Sequence, residues 1–239
     1  DNTFLGSNAG FNHVNGRDNF FVGRCAGLND VNGSYNTFIG VCAGCCNVSG
    51  DDNTFIGQES GLFRTGSDNI AIGSSALRGQ SGSSTGVNNI AIGDLAGCCI
   101  SSGNGNIVLG ERAGEALEAG GLNVFIGSYA GRCTEASCNI FLGPLAGQQN
   151  NIAIGQQAGF CITGDNNTIL GALAGRCMTT GCYNTFIGVC AGERNVSGRF
   201  NHYLGGSAGR FFTSNNNVAI GNSALQGQSG QSTGVGNFA

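Results

Sequence analysis

Hydrophobic residues recur along this chain as adjacent pairs, and each pair is followed by glycine. The repeat reads N-x-Φ-Φ-G-x-x-A-G and then a variable segment, as in Asn36–Gly44, where Phe38 and Ile39 precede Gly40. Most repeats have 16 or 17 residues, two have 20 and one has 12. Because the length varies only after the second glycine, we predict that this segment is an exposed turn. The repeats begin at Asn2, Asn19, Asn36, Asn53, Asn69, Asn89, Asn106, Asn123, Asn139, Asn151, Asn167, Asn184, Asn201, Asn217 and Asn237.

This period predicts stacked coils of short strands. No repeat carries a helical apolar stripe, and glycine at the fifth and ninth positions disfavours a helix. Segments such as Thr37-Phe38-Ile39, which end at glycine, are typical of strands that must stack on neighbouring repeats. The predicted fold is an all-β parallel β-solenoid, a β-roll expected to be left-handed, with coils of about 17 residues.

The repeats also show a longer period. Asn36 and Asn184 lie 148 residues apart, and so do Asn69 and Asn217. We therefore expect residues 1–239 to form a single solenoid of fourteen full repeats and a stub, cut from a longer array with a 148-residue super-repeat.

Stacking would place each repeat position in a ladder along the axis. The leading Asn is expected to form an amide ladder that bonds coil to coil, which is a structural role. Glycine at the fifth position is expected to supply a positive φ or a close backbone approach.

The two adjacent apolar positions should point to opposite faces of a strand. The fourth position is uniformly aliphatic, as in Leu5, Val22 and Ile39, and we assign it to the lumen. The third varies from Phe to Ala, and we assign it to the outer face, where a stripe of Phe would require cover by another chain. This predicts a parallel homotrimer, and copies joined end to end into a filament are the other assembly that we consider. The alternative for the two apolar positions is that a bulge turns both inward. The predicted self-association ladder comprises Phe4, Phe21, Phe38, Phe55, Phe125, Phe141 and Phe186.

Composition limits the partners. The 239 residues include 45 Gly and one Pro, which excludes collagen and an ordinary helical domain. Only 10% of the residues are charged and the net charge is −4, so no nucleic-acid partner is expected. The apolar runs are too short for membrane insertion as a helix.

The motifs Asn-Thr-Phe-Ile-Gly and Ala-Gly, spaced as in Asn53–Gly61 and Asn184–Gly192, resemble the head repeats of trimeric autotransporter adhesins. They look even more like the repeat stems of phage tail-fibre proteins, which often precede an endosialidase-type chaperone domain. The resemblance implies a trimeric β-roll at a cell surface, in the extracellular space or on a virion, which spaces or displays a receptor-binding tip. Two departures are that the adhesin repeat is shorter and that such stems are not usually so rich in Cys.

The twelve Cys favour disulfides over metal or redox chemistry. Cys42 and Cys45 spell C-x-x-C, but thioredoxin chemistry would need this motif at a helix start, and zinc would need a second pair. Cys25 with Cys42, and Cys161 with Cys177, occupy equal positions in adjacent repeats, where a strand spacing of about 4.8 Å suits a disulfide. The alternatives are Cys133 with Cys138 and Cys177 with Cys182, so the connectivity stays open.

We predict no catalytic residue, no cofactor and no metal site, and therefore no enzyme. The leading function is a structural fibrous protein, the shaft or stem of a fibre. The alternative is a module that binds a cell-surface glycan or receptor, favoured if Tyr35, Phe63, Tyr183 and Phe211 are exposed on one flank. Ice binding ranks lower, because the Thr ladder of the second position is broken at Phe20 and Ile70.

Overall fold

The computed structural model describes residues 1–82, 84–132, 137–147, 151–227, 236 and 238–239. It confirms an all-β parallel β-solenoid with coils of about 17 residues, and it has no helix in these ranges. Each repeat contributes one strand of three residues, which covers its second to fourth positions. The strands are β1 (Thr3–Leu5), β2 (Phe20–Val22), β3 (Thr37–Ile39), β4 (Thr54–Ile56), β5 (Ile70–Ile72), β6 (Ile90–Ile92), β7 (Ile107–Leu109), β8 (Val124–Ile126), β9 (Ile140–Leu142), β10 (Ile152–Ile154), β11 (Thr168–Leu170), β12 (Thr185–Ile187), β13 (His202–Leu204) and β14 (Val218–Ile220).

The chain divides into two compact units. The first comprises Asp1–Phe125 and Arg132–Ala136, and the second comprises Ile126–Gly131 and Ser137–Ala239. In the first, β1 to β7 pair in parallel and in sequence order; in the second, β9 to β14 do the same. The single solenoid over residues 1–239 stays a prediction, and Asn237 of its stub lies outside the described residues.

The longer turn of the repeat at Asn69 leaves the sheet register unchanged. Strand β5 pairs residue for residue with β4 on one side and with β6 on the other. The added residues 80–82 are exposed and lie outside the strand. The prediction that length variation falls in an exposed turn is confirmed for this repeat.

The fifth-position glycine is needed both for its positive φ and for the close approach of the next coil, and the repeat predicts these two roles. Gly40 has a φ of +138°, a region that L side chains rarely adopt. A Cβ atom on Gly40 would also lie 2.4 Å from the carbonyl oxygen of Gly57 in the next coil. Any side chain here would therefore force adjacent coils apart.

The assignment of the two apolar positions to faces is wrong, because the third position faces the lumen. Phe38 is completely buried, whereas Ile39 on the same strand is half-buried and faces outward. The alternative of a bulge with both residues inside is also wrong, since the strands alternate regularly. Six residues of the predicted self-association ladder have 0% exposure inside their own coils, and the exception in the first coil is 38% exposed. The six are Phe21, Phe38, Phe55, Phe125, Phe141 and Phe186, and the exception is Phe4.

In the lumen, the size of the third-position residue is matched to the size of the ninth-position residue of the same coil. The rings of Phe21 and Phe38 stack at 4.7 Å between centroids, and a Cβ atom on Gly44 would lie 2.5 Å from the Phe38 ring. The third-position Phe thus occupies the space over the ninth-position Gly of its own coil. In the repeat at Asn69 the sizes are exchanged, because Ala71 and Leu77 are the buried residues at those two positions.

Candidate functional site

In each compact unit, the side chains at the second and fourth positions of the repeat point away from the lumen. These are the first and last residues of each strand, and we name the surface that they form the outward face. No Asp, Glu, Lys or Arg occupies either position in any of the fourteen strands. Phe20, Ile70, Ile92 and Ile107 are 37–43% exposed although they lie in the middle of a sheet. In the first compact unit the outward face comprises Thr3, Leu5, Phe20, Val22, Thr37, Ile39, Thr54, Ile56, Ile70, Ile72, Ile90, Ile92, Ile107 and Leu109.

The leading Asn residues form the predicted amide ladder. The Oδ1 atom of Asn89 accepts the backbone N–H of Asn106 at 3.0 Å and its Nδ2 at 2.9 Å. The same Nδ2 donates to the carbonyl oxygen of Gly120 at 3.0 Å, which closes the turn of its own coil. The ladder is buried, so each amide satisfies backbone groups that water does not reach.

A second buried ladder, at the twelfth position, carries polar side chains that the sequence did not reveal. Asp30 accepts the N–H of Gly33 at 2.7 Å, and in the next coil Asn47 accepts that of Gly50 at 2.6 Å. Burial raises the pKa of Asp30 from its ordinary 3.8 to about 6, against the opposing effects of the Gly33 hydrogen bond and of His13. The Nδ1 atom of His13 lies 3.7 Å from Oδ1 of Asp30.

Arg64 continues this ladder and is also fully buried. Its Nη2 donates to the carbonyl oxygen of Ile100 at 2.8 Å, 36 residues further along the chain. The side chain passes the level of the coil at Asn69, whose own twelfth residue, Gln80, is exposed in the longer turn. Burial lowers the pKa of Arg64 to about 10, so the guanidinium stays charged at neutral pH.

The signal that could have found these ladders is a correlation between the residue types at the third and twelfth positions of the repeat. Polar residues at the twelfth position accompany Phe at the third, as for Phe21 with Asp30 and Phe38 with Asn47. Apolar residues there accompany a small third residue, as for Ala91 with Ile100. Only positions that share a closed interior must compensate in this way.

The described cysteines are free thiols in this structure. The N–H of Cys161 bonds to the carbonyl of Arg176, directly before Cys177, so these two candidates lie on adjacent coils as predicted. Burial is the main cause that raises the pKa of Cys42, and the neighbouring Cys25 thiol adds to it. Cys138 is exposed, Cys182 is half-buried, and Cys133 lies outside the described residues. The disulfides stay a prediction.

The aromatic residues proposed for glycan recognition use their ring faces within the chain. Phe211 has the guanidinium of Arg194 at 5.5 Å and that of Arg210 at 5.1 Å from its ring centroid. Tyr183 stacks on Phe200 at 5.1 Å with an interplanar angle of 1°. The guanidinium of Arg17 lies 5.4 Å from the ring centroid of Tyr35, and that of Arg78 lies 5.6 Å from the ring centroid of Phe63. Tyr35 is nevertheless 47% exposed.

Within the described ranges, no group of three or more His, Cys, Asp or Glu side chains could hold a metal ion. The same residues include no helix long and apolar enough to cross a membrane. His202 lies on the outward face of β13, and His13 lies beside Asp30.

Comparison with known proteins returned no matching family model, no matching curated protein and no matching solved structure.

Proposed function

We propose that this chain is a structural fibrous protein, the shaft or stem of an extracellular, cell-surface or virion-borne fibre. In this proposal it works as a parallel homotrimer and spaces or displays a binding surface. The observation that supports the proposal best is the buried ladder of leading Asn residues, in which hydrogen bonds run from coil to coil.

A stem must resist bending and unfolding along its length, and the ladder of leading Asn residues serves that requirement. The leading Asn residues bond to one another from Asn19 to Asn123 in the first compact unit and from Asn139 to Asn217 in the second. Polarised chains of hydrogen bonds strengthen one another in a low-dielectric interior. Each coil therefore stabilises its neighbours, as in other repeat proteins.

The test is to change the number of coils. Duplicating residues 36–183, which span nine repeats, should lengthen the particle by about 43 Å at about 4.8 Å per coil. Electron microscopy of the full chain before and after duplication measures this. A particle whose longest dimension stays the same would contradict the stem.

A glycan-binding module is the second candidate, and exposure of Tyr183 at 53% and Phe200 at 50% is the observation that favours it. Sugars usually pack on an open ring face, and stacking takes up one face of each of these two rings. The stem therefore has the stronger support. Glycan-array binding that is lost in Tyr183→Ala would favour the module instead.

A further inference from the structure

We propose that the outward face of the first compact unit is a self-association surface that packs against the same face of further copies of this chain. The inference goes beyond the proposed stem function, because it names the surface that makes the contact. Self-association through this surface does not depend on what the assembled protein does. It also replaces the Phe ladder, which lies inside the coil, with a different set of residues.

The chemistry of the outward face favours an apolar partner. None of the 24 Asp, Glu, Lys and Arg residues of the chain lies on a strand. The fourth position of the repeat carries only Leu, Val and Ile. Exposed apolar surface of this extent is uncommon on a monomer and marks an interaction site. Of the exposed members, Leu5 is 66% and Ile92 is 41% exposed.

The spacing of the outward face fits a second copy of this chain as the partner. Equivalent residues lie opposite each other in parallel register, as Thr37 does with Thr54 and Ile70 with Ile90. Their side chains therefore repeat at the strand spacing of about 4.8 Å. A surface with the same period can interdigitate with every row, and another copy of this solenoid has that period over the same number of rows.

The area is sufficient for a stable contact. A standard interface buries about 800 Å² per partner, so the fourteen side chains of this face would each have to contribute roughly 60 Å². The six residues exposed by more than a third, among them Ile70 and Ile107, supply an area of this order or more, and the eight half-buried residues supply less. The whole face therefore has about the area that one such contact buries.

Folding does not depend on this contact, because the lumen already provides each coil with a core. Thr37 and Thr54 occupy the second position in neighbouring coils, so the fold accepts Thr there. Substitutions on the outward face can therefore separate association from folding.

The experiment compares three variants of the full chain by sedimentation velocity and light scattering over a range of concentrations. In Ile70→Lys/Ile107→Lys, a charge buried in the contact should weaken association at least about a hundredfold. Ile70→Thr/Ile107→Thr should weaken it to a smaller extent. The matched control is Val41→Lys/Val48→Lys, which adds the same charges at valines that are 38% and 46% exposed outside the strands, and it should associate like the wild type.

Circular dichroism and thermal unfolding confirm that each variant keeps the fold. An oligomeric wild type whose Lys and Thr variants associate equally well would overturn the outward face as the contact and leave the trimeric stem standing. A wild type that stays monomeric at high concentration would overturn both. Loss of association in the Val41→Lys/Val48→Lys control would show a general effect of charge and would also overturn the assignment.

Discussion

At the scale of single residues, the twelfth-position ladder compares a carboxylate and an amide in the same environment. Asp30 and Asn47 accept equivalent backbone hydrogen bonds in successive coils, and both are completely buried. The amide carries no charge to desolvate. The carboxylate does, and this is why burial raises the pKa of Asp30 to about 6.

We predict that Asp30→Asn stabilises the protein at neutral pH. The pKa of Asp30 is raised in the folded state, so the protonated carboxyl is the form that favours folding. This contribution to stability is complete below the ordinary pKa of 3.8 and is lost as the pH rises through about 6. The shift of about two pKa units corresponds to about 3 kcal/mol. Urea unfolding at pH 4 to 8 should show this loss in the wild type and not in Asp30→Asn.

Asp18→Asn is the control for that substitution, because it removes an exposed carboxylate from the same part of the chain. It should leave the pH dependence close to that of the wild type. Equal pH profiles for Asp30→Asn and the wild type would show that Asp30 is not the group that titrates.

At the scale of one coil, the interior accepts either a large third residue with glycine at the ninth position or a small third residue with a large ninth residue. Phe38 lies over Gly44, whereas Ala71 lies beside Leu77. These are two solutions to the same volume, because cores are close-packed and tolerate compensated changes better than single ones.

This compensation predicts strong coupling between Phe38→Ala and Gly44→Leu. Phe38→Ala alone should cost about 3–5 kcal/mol, and Gly44→Leu alone about 3 kcal/mol, because its Cβ would overlap the Phe38 ring. The double variant reproduces the Ala71 and Leu77 arrangement and should recover at least about 2 kcal/mol. A double-mutant cycle from urea unfolding measures the coupling.

The mismatched pair Phe38→Ala with Gly27→Leu serves as its control. Gly27 lies against the Phe21 ring of the preceding coil, which this pair leaves in place. The mismatched pair should show no rescue. If both pairs recover the same stability, the matched volumes do not explain the pattern.

The solenoid, its parallel strands and the Asn ladder could be predicted, because each follows from a fixed period and from one residue type at one position. The facing of Phe38 and Ile39 could not, because both residues are apolar and lie on opposite sides of one strand. Their orientation depends on the direction of the corner after Ile39, where Gly40 and Cys42 both have positive φ. A hydrophobic pattern carries no information about this direction, whereas compensation between Phe38 and Gly44 does.

At the scale of the whole molecule, we expect the cysteine thiols to differ in reactivity according to how deeply they are buried. Burial raises the pKa of Cys45 and that of Cys98 to about 12, whereas Cys138 and Cys161 are exposed. Since only the thiolate reacts, buried thiols should be slow. Timed alkylation of the reduced protein at pH 8, followed by peptide mapping, should label Cys138 and Cys161 well before Cys45 and Cys98.

The same chemistry without reductant examines the predicted disulfides. Fewer than twelve alkylated thiols in the denatured, unreduced protein would support a bond among the candidate pairs. Twelve alkylated thiols would show that this protein contains no disulfide. Fast labelling of Cys45 in the folded, reduced protein would contradict the burial argument.

The undisturbed register around the longer turn at Asn69 has a consequence for engineering. Residues 80–82 leave the coil and return without shifting β5 against β4 or β6. A peptide grafted at this point would be presented at a known height on the stack, with the sheet untouched. Ligands or labels can therefore be attached at this turn without disturbing the pairing of the neighbouring strands.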